Sequence, residues 1–137
     1  MGKLEHKLIE THFQLLSSIK NEIRFDTTVS SLTFVQMNAL MRLKEENRPC
    51  VSEFAKYFRV AIPTATVLLD KLAGLQLIAK KEDSHDRRVT RIQLTQKGER
   101  LLKEGMKGRE RILTQYFARL SAKDKKDFLR IMRKIVQ

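Results

Sequence analysis

Two short apolar helical stripes, separated by only three residues and followed at once by an alternating hairpin, leave this chain few ways to fold. Ser52 reads as the N-cap of a short helix carrying Phe54, Ala55 and Phe58. After a break at Arg59-Val60-Ala61, Pro63 falls in the first turn of a second helix, where its missing N–H costs nothing. Ala65, Leu68, Leu69 and Leu72 line one face of that helix at i, i+3, i+4 and i+7. Two helices joined so tightly make a helix-turn-helix candidate. Leu77 to Glu82 then reads as a strand, Ser84 to Arg87 as a turn, and Thr90, Ile92 and Leu94 as the alternating positions of a second strand. A helix pair that runs into a charged hairpin is the winged variant of the motif.

The flanks are helical in pattern. Leu8, His12, Leu15, Leu16 and Ile19 mark a first helix from roughly His6 to Arg24. Leu32, Val35, Ala39, Leu40 and Leu43 form a second stripe that ends before Asn47-Arg48-Pro49. Beyond the hairpin, Thr95 can cap a long helix carrying Leu101, Leu102, Ile112, Leu113, Tyr116, Phe117 and Leu120. Ser121-Ala122-Lys123-Asp124 has the form of a capping box, with Asp in the usual Glu place, before Phe128, Ile131, Met132 and Ile135. The expected fold class is therefore mainly α with a small β-hairpin wing. Residues 1–137 form one domain, with the winged helix-turn-helix over about 31–98 and flanking helices over about 4–24 and 96–137. A single winged lobe gives the first and last apolar stripes nothing to bury against. A homodimer through about residues 4–24 and 101–136 is expected.

Composition narrows the function. The net charge of +12 attracts polyanions and says nothing about fold. It is unevenly placed: residues 1–45 carry six cations and five acids, residues 46–100 eleven and seven, and residues 101–137 eleven and four. No aromatic-rich basic surface accompanies it, as a single-strand stacking platform would require. No apolar run reaches the length of a membrane span, and the polar, helical start lacks the pattern of a signal peptide, so no membrane partner is expected. A lone cysteine, Cys50, suits a reducing cytoplasm; it reads as a plain buried or half-buried thiol rather than a redox sensor. His6, His12 and His85 lack the spacing of a metal pair, and no Ser/His/Asp set, P-loop or dinucleotide glycine pattern occurs. Neither an enzyme, a metal site nor a cofactor is expected.

What remains is the crowding of five cations and three acids between Lys80 and Arg91. In isolation such a stretch is an ordinary solvated turn. Directly behind a helix-turn-helix it reads better as a finger for a polyanion, and the whole pattern points to double-stranded DNA. The segment VSEFAKYFRVAIPTATVLLDKLAGLQLIAKKEDSHDRRVTRIQLTQKG, Val51 to Gly98, resembles the MarR family of transcription regulators. The most specific part is Asp83-Ser84-His85-Asp86-Arg87-Arg88 running into Leu94-Thr95-Gln96-Lys97-Gly98. The order of the flanking helices agrees too, so the likeness covers essentially the whole chain. It implies a triangular homodimer with interlocked terminal helices and two winged lobes on a palindromic operator. The expected function is a sequence-specific DNA-binding regulator, and a repressor rather than an activator. Relatives also take small phenolic or lipophilic effectors between the dimer helices and the DNA lobes; no residue here identifies one. Arg59 stands where the family often has Gly, Ala61 where a Ser cap is usual, and Gln76 where Gly normally ends the second helix. A left-handed residue at Arg59 would carry mild strain.

On a helical wheel, Pro63, Thr66, Val67, Asp70 and Gly74 lie opposite the apolar face, flanked by Thr64 and Lys71. A recognition helix in the major groove uses its N-terminal residues on base edges. Pro63, Thr64, Thr66, Val67 and Lys71 are the candidate contacts. The threonines can hydrogen-bond bases or phosphates, and Val67 and the Thr methyls can meet thymine methyls. For Val67 two readings stay open: contact with DNA, or a helix rotated enough to tuck it into the core. In the hairpin, either Arg87 or Arg88 enters the narrow minor groove, while the other pairs with Asp86 and holds the tip rigid. Lys80, Lys81 and Arg91 are phosphate contacts or solvated neighbours. Two rival functions belong to other classes: a nonspecific basic nucleic-acid or architectural protein, and a winged-helix protein-interaction module.

Overall fold

Thr33 fixes the start of the first helix in the lobe. Its hydroxyl accepts from the Gln36 N–H at 3.1 Å while the Gln36 side chain accepts from the Thr33 N–H at 3.0 Å. The computed structural model describes residues 1–26 and 31–137. Among these, the elements are α1 (Lys3–Phe25), α2 (Phe34–Glu45), α3 (Val51–Phe58), α4 (Ile62–Gly74), β1 (Ile78–Glu82), β2 (Thr90–Leu94), α5 (Gln96–Phe117) and α6 (Ala122–Val136). The mainly helical fold with one hairpin is the expected class. The chain divides into two compact units: a lobe from α2 through the start of α5, up to Met106, and a helical unit of α1, α6 and α5 from Lys107.

The capping box sets the phase of α2. Leu32 before the cap and Met37 after it occupy the two positions of a hydrophobic staple, and both are buried. Met37, Ala39, Leu40 and Leu43 face the core. Val35, expected in that stripe, sits at the second helical position and is 51% exposed; Met37 takes its place.

The start of α3 also differs from expectation. Its N-cap is Cys50, not Ser52. The cause lies forty residues away: the Ile92 N–H donates to the Pro49 carbonyl at 3.0 Å, and Cys50 bridges Arg91 in antiparallel fashion. Pro49 and Cys50 are thus held extended against β2, and the helix begins directly after them. The Glu53 carboxylate completes the cap by accepting from the Cys50 N–H at 3.0 Å. Ser52 lies inside the first turn, its hydroxyl 3.1 Å from the half-buried Cys50 sulfur.

The turn between α3 and α4 places Arg59 at φ 56°, ψ 44°, with its N–H donating to the Lys56 carbonyl at 3.2 Å and the Val60 N–H to Ala55 at 3.0 Å. Gln76 closes α4 the same way at φ 60°, with the Leu77 N–H on the Leu72 carbonyl at 2.9 Å. Each left-handed side chain costs about 1–2 kcal/mol relative to right-handed backbone, so both glycine-like turns are kept against a real penalty. Ala61 caps α4 without a side-chain bond. Ala65, Leu69 and Leu72 are fully buried against Leu40, Phe54, Leu77, Ile92 and Leu102, with Phe58 stacked on Phe54 at 5.1 Å.

The hairpin is antiparallel, in register from Ile78 opposite Leu94 to Glu82 opposite Thr90. Its loop runs from Asp83 to Val89, longer than the expected turn, and is closed by the Asp83 N–H on the Val89 carbonyl at 2.8 Å. Thr95 joins the wing to α5: its hydroxyl donates to the Gln76 carbonyl at 2.6 Å and accepts from the Gly98 N–H at 3.0 Å. Gly98 is buried so close to the Leu77 carbonyl oxygen that any Cβ there would overlap it. A side chain at Gly98 would force α5 away from the strand, which explains glycine at this step of the motif.

In the helical unit, α6 starts at the expected capping box, with the Asp124 N–H donating to the Ser121 hydroxyl at 3.1 Å. Arg111 pairs with Asp26 at 2.7 Å, the Tyr116 hydroxyl donates to Glu22 at 2.9 Å, and the Phe117 and Phe128 rings lie 6.2 Å apart. Neither α1 nor α6 buries a residue; Ile112 is the buried large apolar side chain of this unit among the described residues.

Candidate nucleic-acid interface

The core face of α4 fixes what its other face presents. With Ala65, Leu69 and Leu72 inward, Pro63, Thr64, Val67, Asp70 and Lys71 are exposed. Val67 is 59% exposed, so of its two readings the outward one is the observed position. Thr66 is half-buried and spends its hydroxyl proton on the Ile62 carbonyl at 2.9 Å. Asp70 is ion-paired with Lys80 of β1. That pair ties the wing to α4 and removes Lys80 from the freely solvated charges.

The wing is organised by an acid that sequence reasoning passed over. Asp83 directly follows β1, and its carboxylate accepts from the His85 and Asp86 N–H groups at 2.8 and 3.1 Å and from the Arg91 Nε at 2.7 Å. Hydrogen bonding from Arg91 first, and from the two backbone N–H groups next, lowers the Asp83 pKa to about 2. An Asp followed by Ser-His-Asp at the end of a strand is the signal for such a side-chain turn. Arg91 is correspondingly occupied. Its guanidinium also reaches Glu53 at 3.2 Å and the Arg48 carbonyl at 3.4 Å. It therefore clamps the wing to the N-terminus of α3, rather than standing out as a solvated cation.

The two tip arginines differ. Asp86 accepts from the Arg88 N–H at 3.0 Å and lies 3.5 Å from its Nε, though the Arg88 side chain stays 94% exposed. Arg87 is exposed and makes no ion pair among the described residues. The described residues include no group of His, Cys, Asp and Glu able to hold a metal ion, and no helix long and apolar enough to cross a membrane.

A lowered carboxylate pKa has a definite sign. The Asp83 contribution is fully present above its ordinary value near 3.8 and is lost as pH falls through about 2. The side-chain carboxyl carbon resonance of Asp83 should accordingly hold steady from pH 7 to about 4 and move only as pH falls toward 2. In an Arg91→Gln protein the same movement should begin at higher pH. An Asp83 carboxyl resonance that titrates near the ordinary carboxylate value in the parent protein would contradict this wing geometry.

An exposed helix face beside a reinforced, basic hairpin is an arrangement suited to a DNA duplex. Residues 32–90 match the family model described as MarR family. The solved structure of a MarR family protein from Bacillus stearothermophilus superposes with a TM-score of 0.79 at 30% sequence identity, covering 100% of this chain and 96% of that one. The chain belongs to the MarR family. Like the MarR family at large, it is a DNA-binding transcription regulator. It is also similar to the HTH-type transcriptional repressor MdtR of Bacillus subtilis, 28% identical over 123 residues that span 90% of this chain and 79% of the relative. The transcriptional repressor CouR, solved bound to a 23-mer DNA duplex, shares the MarR fold at a TM-score of 0.78 and 22% identity, over 100% of this chain and 97% of that one.

Proposed function

We propose that this chain is a cytoplasmic repressor that binds a palindromic operator as a homodimer, with α4 of each lobe in a major groove and the hairpin tip in the adjacent minor groove. The observation that carries the reading is the uncommitted Arg87. It sits on a loop whose Asp83–Arg91 and Asp86–Arg88 pairs are satisfied internally, so the tip is stiff and one guanidinium is left for the groove. Pro63, Thr64, Thr66, Val67 and Lys71 supply the major-groove face, with Thr64 a hydroxyl that no hydrogen bond among the described residues occupies. Arg88 serves beside Arg87, while Arg91 acts on DNA through the wing it holds. The exposed apolar positions of α1 and α6, among them Leu4, Leu8, Phe13, Ile131 and Ile135, support the dimer. The name of MdtR supports repression as the sense.

Competition binding at about 150 mM salt tests this. An operator enriched from genomic fragments should bind at least about a thousandfold tighter than random duplex of equal length. Comparable affinity for both would identify a nonspecific architectural protein. No binding to either would leave the interaction module.

A further inference from the structure

The chain carries +12, yet α4 carries none of it: its charged residues are Asp70 and Lys71, one of each sign. Asp70 is moreover held by Lys80. The element that faces the bases is thus separate from the elements that carry the charge. Bidentate readout of guanine needs Arg or Lys, and bidentate readout of adenine needs Asn or Gln. The first two turns of α4 hold none of these four residue types. Their outward row is Pro63 and Val67, neighbours at i and i+4, with Thr64 on one side and the internally bonded Thr66 on the other. Isolated exposed apolar side chains are ordinary on protein surfaces. Here they occupy the centre of the face, where a polar reader would have to stand.

Resting on the regulator reading above, we propose that α4 selects its half-site through the C5 methyl groups of thymine, with Pro63 and Val67 as the reading side chains and Thr64 as the hydroxyl beside them. Thymine is the base whose major-groove edge bears a methyl group. Seating that methyl against the Pro63 ring and the Val67 isopropyl group removes apolar surface from water on both partners. Cytosine offers this ridge a bare C5–H beside its polar amino group, and guanine only the polar N7 and O6. A T·A pair leaves polar edges unsatisfied against this ridge too, so the methyl contact carries the discrimination.

The experiment uses the full chain and a synthetic pool of random 30-base-pair duplexes. Selected half-sites should carry thymine at one or two fixed positions facing α4. Replacing such a thymine by deoxyuridine, which deletes only the methyl, should weaken binding about fourfold per methyl. The same change in both half-sites should weaken it about fifteenfold. Replacing the T·A pair by C·G should cost more, and 5-methylcytosine in place of that cytosine should recover part of the loss. Val67→Ala, at an exposed position that leaves the core intact, should lose affinity on the thymine duplex and become indifferent to deoxyuridine at one position. Selected sites whose affinity ignores deoxyuridine at every thymine would overturn methyl readout while leaving the regulator intact. Failure to enrich any sequence would overturn the regulator reading and this inference with it.

Discussion

Ile135→Asp is expected to leave the winged lobe folded and abolish the dimer. Ile135 is 78% exposed within one chain, so the change removes no core contact of the protomer. In the proposed assembly the same position is buried, and an unpaired carboxylate there costs several kcal/mol. Phe128→Asp should be harsher. Its ring lies against Phe117, so the substitution also strikes the little packing that the helical unit has of its own. That unit exposes Leu4, Leu8, Phe13, Leu15 and Leu16 on α1 and Leu129, Ile131, Ile135 and Val136 on α6. Helices this amphipathic with no buried residue are stabilised by what they bind rather than by their own propensity. Sedimentation at micromolar concentration should give a dimer for the parent chain and a monomer with reduced helix content for Ile135→Asp. Lys126→Asp, on the polar side of α6 with Lys123 and Arg130, should stay dimeric. A folded, monomeric parent chain at that concentration would end the dimer reading.

Helix identity was legible in the sequence because apolar spacing alone decides which face of α4 is covered. The same periodicity put Pro63, Thr66, Val67, Asp70 and Gly74 outward with Thr64 and Lys71 beside them. It left Val67 open and missed that Thr66 is half-buried with its hydroxyl on the Ile62 carbonyl. What periodicity cannot supply is pairing across the chain. The shift of the α3 cap from Ser52 to Cys50 depends on Pro49 and Ile92 lying side by side, a contact made only once the hairpin docks. Arg91 read as a surface cation for the same reason. Its partners Glu53 and Arg48 are about forty residues away, and Asp83 becomes its partner only through the register that sets Lys81 opposite Arg91. Val35 and Met37 exchanged roles because Thr33, and not the apolar count, sets the phase of α2. The family resemblance located the strained turns at Arg59 and Gln76, which composition could not have done.

Removing a negative charge from the wing should weaken DNA binding, and that inverted sign is the sharpest test of the tip. Arg87→Ala should cost about 1–3 kcal/mol of operator affinity, as expected for an arginine inserted in a groove. Arg88→Ala should cost less, because Arg88 already has a partner and stands almost wholly in solvent, where ion pairs are worth little. Asp86→Ala discriminates between mechanisms. Its carboxylate accepts from the Arg88 N–H and approaches the Arg88 guanidinium, so it fixes the loop from which Arg87 projects. If the field alone mattered, deleting this acid would make the tip more positive and tighten binding, most strongly at low salt. If orientation matters, the freed loop must be ordered again on each binding event, and affinity falls at every salt concentration. Anisotropy titrations of Asp86→Ala at about 50 and 200 mM salt separate the two. Weaker binding at both concentrations, with the salt slope unchanged, is the expected result. Tighter binding at both would leave the hairpin as no more than a solvated, charged turn.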